Sequence, residues 1–123
     1  MAGTLVANTI NTDTGLFSTN NAYLGIAKAW VQFTGSTATI NNSFNVSSIT
    51  RSSTGSYVVN YTTALSVSNY ASAGMLLNAS YNASNAARSI ITSALTTTTA
   101  TIYIVSGAGG AEDGGVGFIA FSS

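Results

Sequence analysis

The run "AKAWVQFTGSTATINNSFNVSSITRSSTGSYVVNYTTAL", Ala27 to Leu65, decides the fold. In "AKAWVQF", Ala29, Val31 and Phe33 fall on one side of an extended chain, and Lys28, Trp30 and Gln32 on the other. That period of two is the pattern of a half-buried strand. "SFNVSSI" puts Phe44 and Val46 together and then breaks phase before Ile49, as a bulge or bend does. "RSSTGS" is polar, with Gly55 to relax the backbone, and reads as a hairpin loop. "SYVVNYTT" then sets Tyr57, Val59 and Tyr61 on one face, opposite Val58 and Asn60. Strand follows strand, written in uncharged polar residues.

The same signals continue outward from this run. "YASAGMLLNASY" places Ala71, Ala73, Met75, Leu77 and Ala79 in one phase, and their mostly small side chains predict close packing of one sheet on another. "NASNAARSIITSAL", Asn82 to Leu95, is the best helix candidate, but Ile90, Ile91 and the Thr-rich continuation favour a strand. "TTTTATIYIVSG" sets Ala100, Ile102 and Ile104 against Thr101, Tyr103 and Val105. "VGFIAFSS" sets Val116, Phe118 and Ala120 against Ile119 and Phe121. Between them "GAGGAEDGG" reads as a flexible loop. About seven short strands at this spacing predict an all-β chain, an antiparallel β-sandwich or jelly-roll-like domain over residues 27–123. Residues 1–26 scatter apolar side chains among Asn and Thr, and are expected to form an extended N-terminal arm that contacts a partner.

Composition narrows the function. With 123 residues the chain is the size of one domain. Charged residues make up 5% and the formal net charge is zero. Lys28, Arg51 and Arg88 lie far apart in sequence, so the clustered cations that phosphate binding needs are missing, and no nucleic-acid partner is expected. Histidine and cysteine are absent, which removes the usual ligands of zinc and the usual partners of a catalytic serine. The first residues, "MAGTLVANTINTDTG", lack the basic and apolar regions of a signal peptide, and no apolar run is long enough to span a bilayer, so membrane insertion is not expected. A neutral surface of hydroxyls and amides suits a protein held inside an assembly.

Few residues carry candidate chemistry. Glu112 and Asp113 sit in the glycine-rich loop, where carboxylates and backbone oxygens hold calcium in other proteins; a solvated loop is the simpler reading. The loop lacks the lysine of a phosphate-binding loop. Asp13 is the only other acid, and nothing in the sequence pairs it with Glu112 or Asp113 for general acid–base work. No serine stands out as a nucleophile beside Lys28. No enzyme, cofactor or metal is expected. Thr96 to Ile102, "TTTTATI", offers a row of hydroxyls that an ice-binding face would use, but a strand with solvent-facing threonines accounts for it. Trp30 and the tyrosines Tyr23, Tyr57, Tyr61, Tyr70, Tyr81 and Tyr103 raise carbohydrate stacking or an interface, against half-burial in the sandwich. Trp30, Tyr23 and Phe17 are the candidate interface or ligand contacts, and for Trp30 core and interface are equally open.

Lys28 to Leu65 resembles a β-module recurrent in tail-fibre and related virion proteins of bacteriophages. The resemblance is carried by Ala29, Trp30, Val31, Phe33, Gly35, Phe44, Asn45, Val46, Ser47, Ser48, Ile49, Gly55, Tyr57, Val59, Tyr61 and Thr62, and more loosely by the closing "GGVGFIAFSS". These are packing and turn residues, so the resemblance implies a building block and not an activity. It implies a virion component, commonly a homotrimer, contacting the major capsid protein, another tail protein or a host surface glycan. The short chain, starting at Met1, leaves no room for a shaft or tail-docking domain. Length and the arm favour a head decoration (cement) protein on the capsid surface over a tail-fibre or tail-tip module.

Overall fold

The computed structural model describes residues 3, 9–12, 15–18, 25–77, 88–107 and 109–122, with the backbone alone for 9–12 and 15–18. Ten strands follow one another among them: β1 Thr9–Thr12, β2 Gly15–Ser18, β3 Ala29–Thr34, β4 Thr39–Phe44, β5 Val46–Ser53, β6 Ser56–Tyr61, β7 Ala71–Leu77, β8 Ser89–Leu95, β9 Thr99–Val105 and β10 Gly115–Phe121. Within the expected N-terminal arm, β1 and β2 pair antiparallel. The other eight strands form two four-stranded sheets, ordered β4-β3-β10-β7 and β5-β6-β9-β8, with every pairing antiparallel. They pack against each other as the β-sandwich that the alternation predicts.

The core lies where alternation placed it on four strands. Ala29, Val31 and Phe33 of β3 and Val116, Phe118 and Ala120 of β10 face Tyr57, Val59 and Tyr61 of β6 and Ala100, Ile102 and Ile104 of β9. Val46 and Ile49 complete the wall on β5. The Phe33 and Tyr57 rings meet edge to face with centroids 5.2 Å apart. Each fully buried side chain of this size contributes about 1.5–3 kcal/mol through removal of apolar surface from water.

The phase break near Ile49 has two parts. Asn45 stands between β4 and β5 at φ 55°, a left-handed conformation that short polar side chains tolerate. Its Nδ2 donates to the carbonyls of Lys28 (3.0 Å) and Thr63 (3.1 Å), and its Oδ1 accepts from the Thr63 N–H (2.7 Å). One residue thereby carries the chain from one sheet to the other. Phe44 and Val46 therefore do not share a side: Phe44 is 54% exposed and Val46 is 8% exposed. Ser47 is then an extra residue in β5, since Val46 pairs with Tyr61 and Ser48 with Asn60. The bulge returns Ile49 to the core three positions after Val46.

Two other expectations are corrected. On β7, Ser72, Gly74 and Leu76 stand opposite the inward Ala120, Phe118 and Val116, so Ala71, Ala73, Met75 and Leu77 face outward. Close packing between sheets falls at Gly74, where a Cβ would come within 2.6 Å of Ile90 Cγ2 on β8. Ala79 lies outside the described residues. The threonine row is mostly a turn. Thr96 Oγ1 accepts from the N–H groups of Thr98 (3.2 Å) and Thr99 (2.9 Å), joining β8 to β9. Of the Asn82–Leu95 run, Ser89–Leu95 is strand β8, and 82–87 lie outside the described residues.

Candidate functional site

The two acids of the glycine-rich loop are adjacent in sequence and do not converge. Asp113 takes a forked contact from Arg51, with Nη2 2.7 Å from Oδ2 and Nε 3.1 Å from Oδ1. Its Oδ1 also accepts from the Gly55 N–H at 3.0 Å and the Tyr57 hydroxyl at 2.5 Å. The Arg51 guanidinium holds this carboxyl well below the usual carboxylate range, helped by Tyr57 and Gly55. Burial pushes the Tyr57 hydroxyl above the ordinary phenol range, and the bond to Asp113 adds to it. Glu112 turns to a different cation, with Oε2 2.7 Å from Arg88 Nη2. Ser106 ties the preceding turn, accepting from the N–H groups of Gly109 (2.9 Å, carbonyl) and Gly110 (3.2 Å, Oγ). At Asp113 the loop braces the β5–β6 hairpin to the start of β10. Among the described residues, no group of three or more acids, histidines or cysteines gathers in a way that would hold a metal ion.

The tyrosines divide in the same way. Tyr61 and Tyr70 join hydroxyls at 2.8 Å in the interior, and Tyr70 Oη donates to the Thr99 carbonyl at 3.2 Å. Burial, with the Tyr70 bond second, holds the Tyr61 hydroxyl above the usual phenol range. Tyr103 stays on the surface opposite Ile91. Tyr23 and Tyr81 lie outside the described residues, and Phe17 is placed on β2 with its side chain undescribed.

Trp30 belongs to the outer face of the β4-β3-β10-β7 sheet, half-buried among apolar neighbours. Register sets Phe44, Trp30, Ile119 and Ala73 in one row across all four strands. The adjacent outward row holds Asn42, Gln32, Gly117 and Met75, and a Cβ on Gly117 would meet Met75 Cγ at 3.0 Å, so the Met75 chain lies over the glycine. Met75 is 59% exposed. This face carries large apolar side chains to solvent from both edge strands.

The outer face of the other sheet differs. Ser48, Thr50, Asn60, Thr99 and Thr101 share it, and Asn60 Nδ2 donates to Ser48 Oγ and Thr50 Oγ1 at 3.1 Å each. Val58, Tyr103 and Ile91 lie on the same side, so hydroxyl and amide groups there stand beside apolar ones.

Phe44 also walls a cleft of about 670 Å³ at the end of the sandwich, with Ile26, Lys28, Asn45, Leu65 and Ser122 among its lining. Ile26 is 58% exposed. The volume lies within the range of small-molecule sites. Its polar anchor, Asn45, is occupied by the backbone of Lys28 and Thr63, so the cleft offers shape and apolar surface more than a set of waiting donors. Among the described residues, neither the apolar face nor the cleft contains an acid–base pair.

No protein-family model, curated protein or solved structure matches this chain. Of the sequence candidates, Trp30 alone stands in a described apolar surface. Phe44, Ile119 and Met75 were missed as its companions. The outward alternation of β10 and β7 carried the signal for Ile119 and Met75, once the phase of β7 is set by its pairing with β10.

Proposed function

We propose that this chain is a non-enzymatic structural module of a bacteriophage particle, a decoration (cement) protein that reinforces the head surface through contacts between subunits. The observation that carries the reading is the asymmetry of the sandwich. One outer face mixes hydroxyl and amide groups with Val58, Tyr103 and Ile91, and the other presents the unbroken row Phe44, Trp30, Ile119 and Ala73 with Met75 beside it. A contiguous apolar face of this kind marks a contact surface. The virion setting rests on the resemblance of Lys28 to Leu65 to phage β-modules, a stretch that folds as β3 to β6 and supplies strands to both sheets.

The charge arrangement supports a role in packing. Arg51 and Arg88 are paired with Asp113 and Glu112 within the molecule, which leaves an almost neutral exterior. Buried interfaces penalise unpaired charge, and this chain brings little of it. Gold-labelled antibody on intact particles tests the reading: labelling over the head in many copies is expected, and particles lacking the protein should lose resistance to heat. Absence of label from the particle would refute it.

The cleft beside Phe44 and Ile26 favours a second reading, a tail-fibre or tail-tip module contacting a host surface glycan. Label confined to the tail tip, together with competition between purified protein and infection, would select it.

A further inference from the structure

We infer that the outer face of the β4-β3-β10-β7 sheet is a self-association face, on which a second copy of this chain packs with the same face. The inference deepens the proposed role in contacts between subunits by naming the surface and its occupant. Three observations lead to it.

The first is the composition of the face. The row Phe44–Trp30–Ile119–Ala73 runs across the sheet without a polar interruption, flanked by Met75, and Phe121 lies in phase on β10. Lys28, in phase at the start of β3, is the one charged side chain on this side of the sheet among the described residues. The second is charge. A partner recognised by its charges needs opposite charges here, and Arg51, Arg88, Glu112 and Asp113 are engaged with one another at the rim of the sandwich. The occupant must itself present a neutral, apolar sheet surface, and this chain carries such a surface. The third is the contrast between faces. A ring of three copies needs two different complementary patches on each copy, whereas a pair needs one patch that fits itself. The other outer face is hydroxyl-rich, with Ile91 and Tyr103 as its exposed large apolar side chains. One extended apolar face thus points to a two-fold pair rather than the threefold that the family resemblance implies. Met75, unbranched and lying over Gly117, gives the surface an adaptable filler at the contact.

The single tryptophan makes the contact visible without a label. Full-length protein is examined by sedimentation velocity and light scattering over a concentration series, with Trp30 emission recorded in parallel. The expected result is a species of twice the chain mass, and an emission maximum that moves to shorter wavelength as the pair forms. Met75→Glu and Phe44→Asp should each weaken association by about tenfold or more, since a charge is then buried in the contact. Thr50→Glu, on the hydroxyl face, should leave it unchanged. Circular dichroism on all three variants confirms that the sheets persist; should a variant unfold, the emission shift of the unmodified protein decides alone. A monomer at every concentration overturns the inference, as does a trimer, an emission maximum indifferent to concentration, or a pair that survives Met75→Glu with its sheets intact. Any of these leaves the virion reading to the microscopy above, and absence from the virion leaves the pairing untouched.

Discussion

The Tyr57 hydroxyl lies 2.5 Å from Asp113 Oδ1, although the two residues are 56 positions apart in the chain. The same carboxylate receives the Arg51 fork and the Gly55 N–H, so one acid joins the β5–β6 hairpin to the loop before β10. Four donors converge on it from three residues. An isolated pair on a protein surface contributes little, but a network with a partly buried phenol and a backbone amide is harder to replace.

Replacing Asp113 by Asn keeps the shape and removes the charge. The amide accepts fewer of these bonds and sets its own donors against those of Arg51 and Tyr57. We expect a loss of about 1–2 kcal/mol, discounted for the part of the network open to solvent. Urea unfolding followed by tyrosine fluorescence measures it, and an unchanged midpoint would show that the clamp is ornamental.

Acid should reveal the same group. The folded-state carboxyl of Asp113 is depressed below its unfolded value of about 3.9. Its contribution is therefore complete above that value and is lost as pH falls through the folded pKa. The stability gap between the unmodified protein and Asp113→Asn is expected to be constant from pH 7 to about 5 and to narrow progressively as pH falls below about 4. A gap as wide at pH 2 as at pH 7 would assign the effect of the substitution to packing.

Alkali acts on the phenols with the opposite sign. Tyr57, Tyr61 and Tyr70 are held above the ordinary phenol value, chiefly by burial. Their contribution is present below the unfolded pKa of about 10 and is lost as pH rises through the folded values. Phenolate absorbance should therefore leave these three silent near pH 10 and release them together with loss of the strand signal in circular dichroism. Reversible ionisation of all six tyrosines near pH 10 in folded protein would contradict the buried positions.

Asn45 allows conformation and hydrogen bonding to be separated. Asn45→Gly keeps access to φ 55° and loses the three side-chain bonds; Asn45→Ala loses both. The glycine variant should cost about 1–2 kcal/mol, and the alanine variant about 1 kcal/mol more for the left-handed backbone. Equal midpoints in a denaturant series would mean that the corner relaxes to another conformation.

In the core, Phe33 is fully buried against Tyr57. Phe33→Ala leaves a cavity and removes the edge-to-face contact, at an expected cost of about 3–5 kcal/mol. Calorimetry that finds less than about 1 kcal/mol would place the ring outside the packed interior.

How far the fold was legible depended on contrast between faces. β3, β6 and β9 bury Val, Phe, Tyr and Ile in strict alternation against outward positions that hold Gln, Asn and Thr beside Trp30, Val58 and Tyr103, so alternation set their orientation from sequence. β7 does not have that contrast. Its outward Ala71, Ala73, Met75 and Leu77 form an all-apolar set while its inward Ser72, Gly74 and Leu76 include only one large apolar side chain, because the outward side belongs to an apolar face. The same property that makes the face a contact surface inverted its reading. Asn45 was hidden for another reason: a left-handed corner leaves only a phase break, and the bulge at Ser47 leaves another within two residues. The Arg51–Asp113 link spans 62 positions and carries no local signature at all.

The last of the described strands, β10, is not at a margin of its sheet; it is inserted between β3 and β7. Synthesis from the N-terminus therefore delivers the hairpins β3–β4, β5–β6 and β8–β9 as local pairs, while two adjoining pieces of one sheet wait for a central slat that arrives last. Until it docks, Val31 and Phe33 lack Phe118 and Val116 beside them. Closure must then be a late, long-range event, slow relative to hairpin formation. Trimming this segment would split the sandwich down its middle, where loss of β4 or β8 would only narrow it.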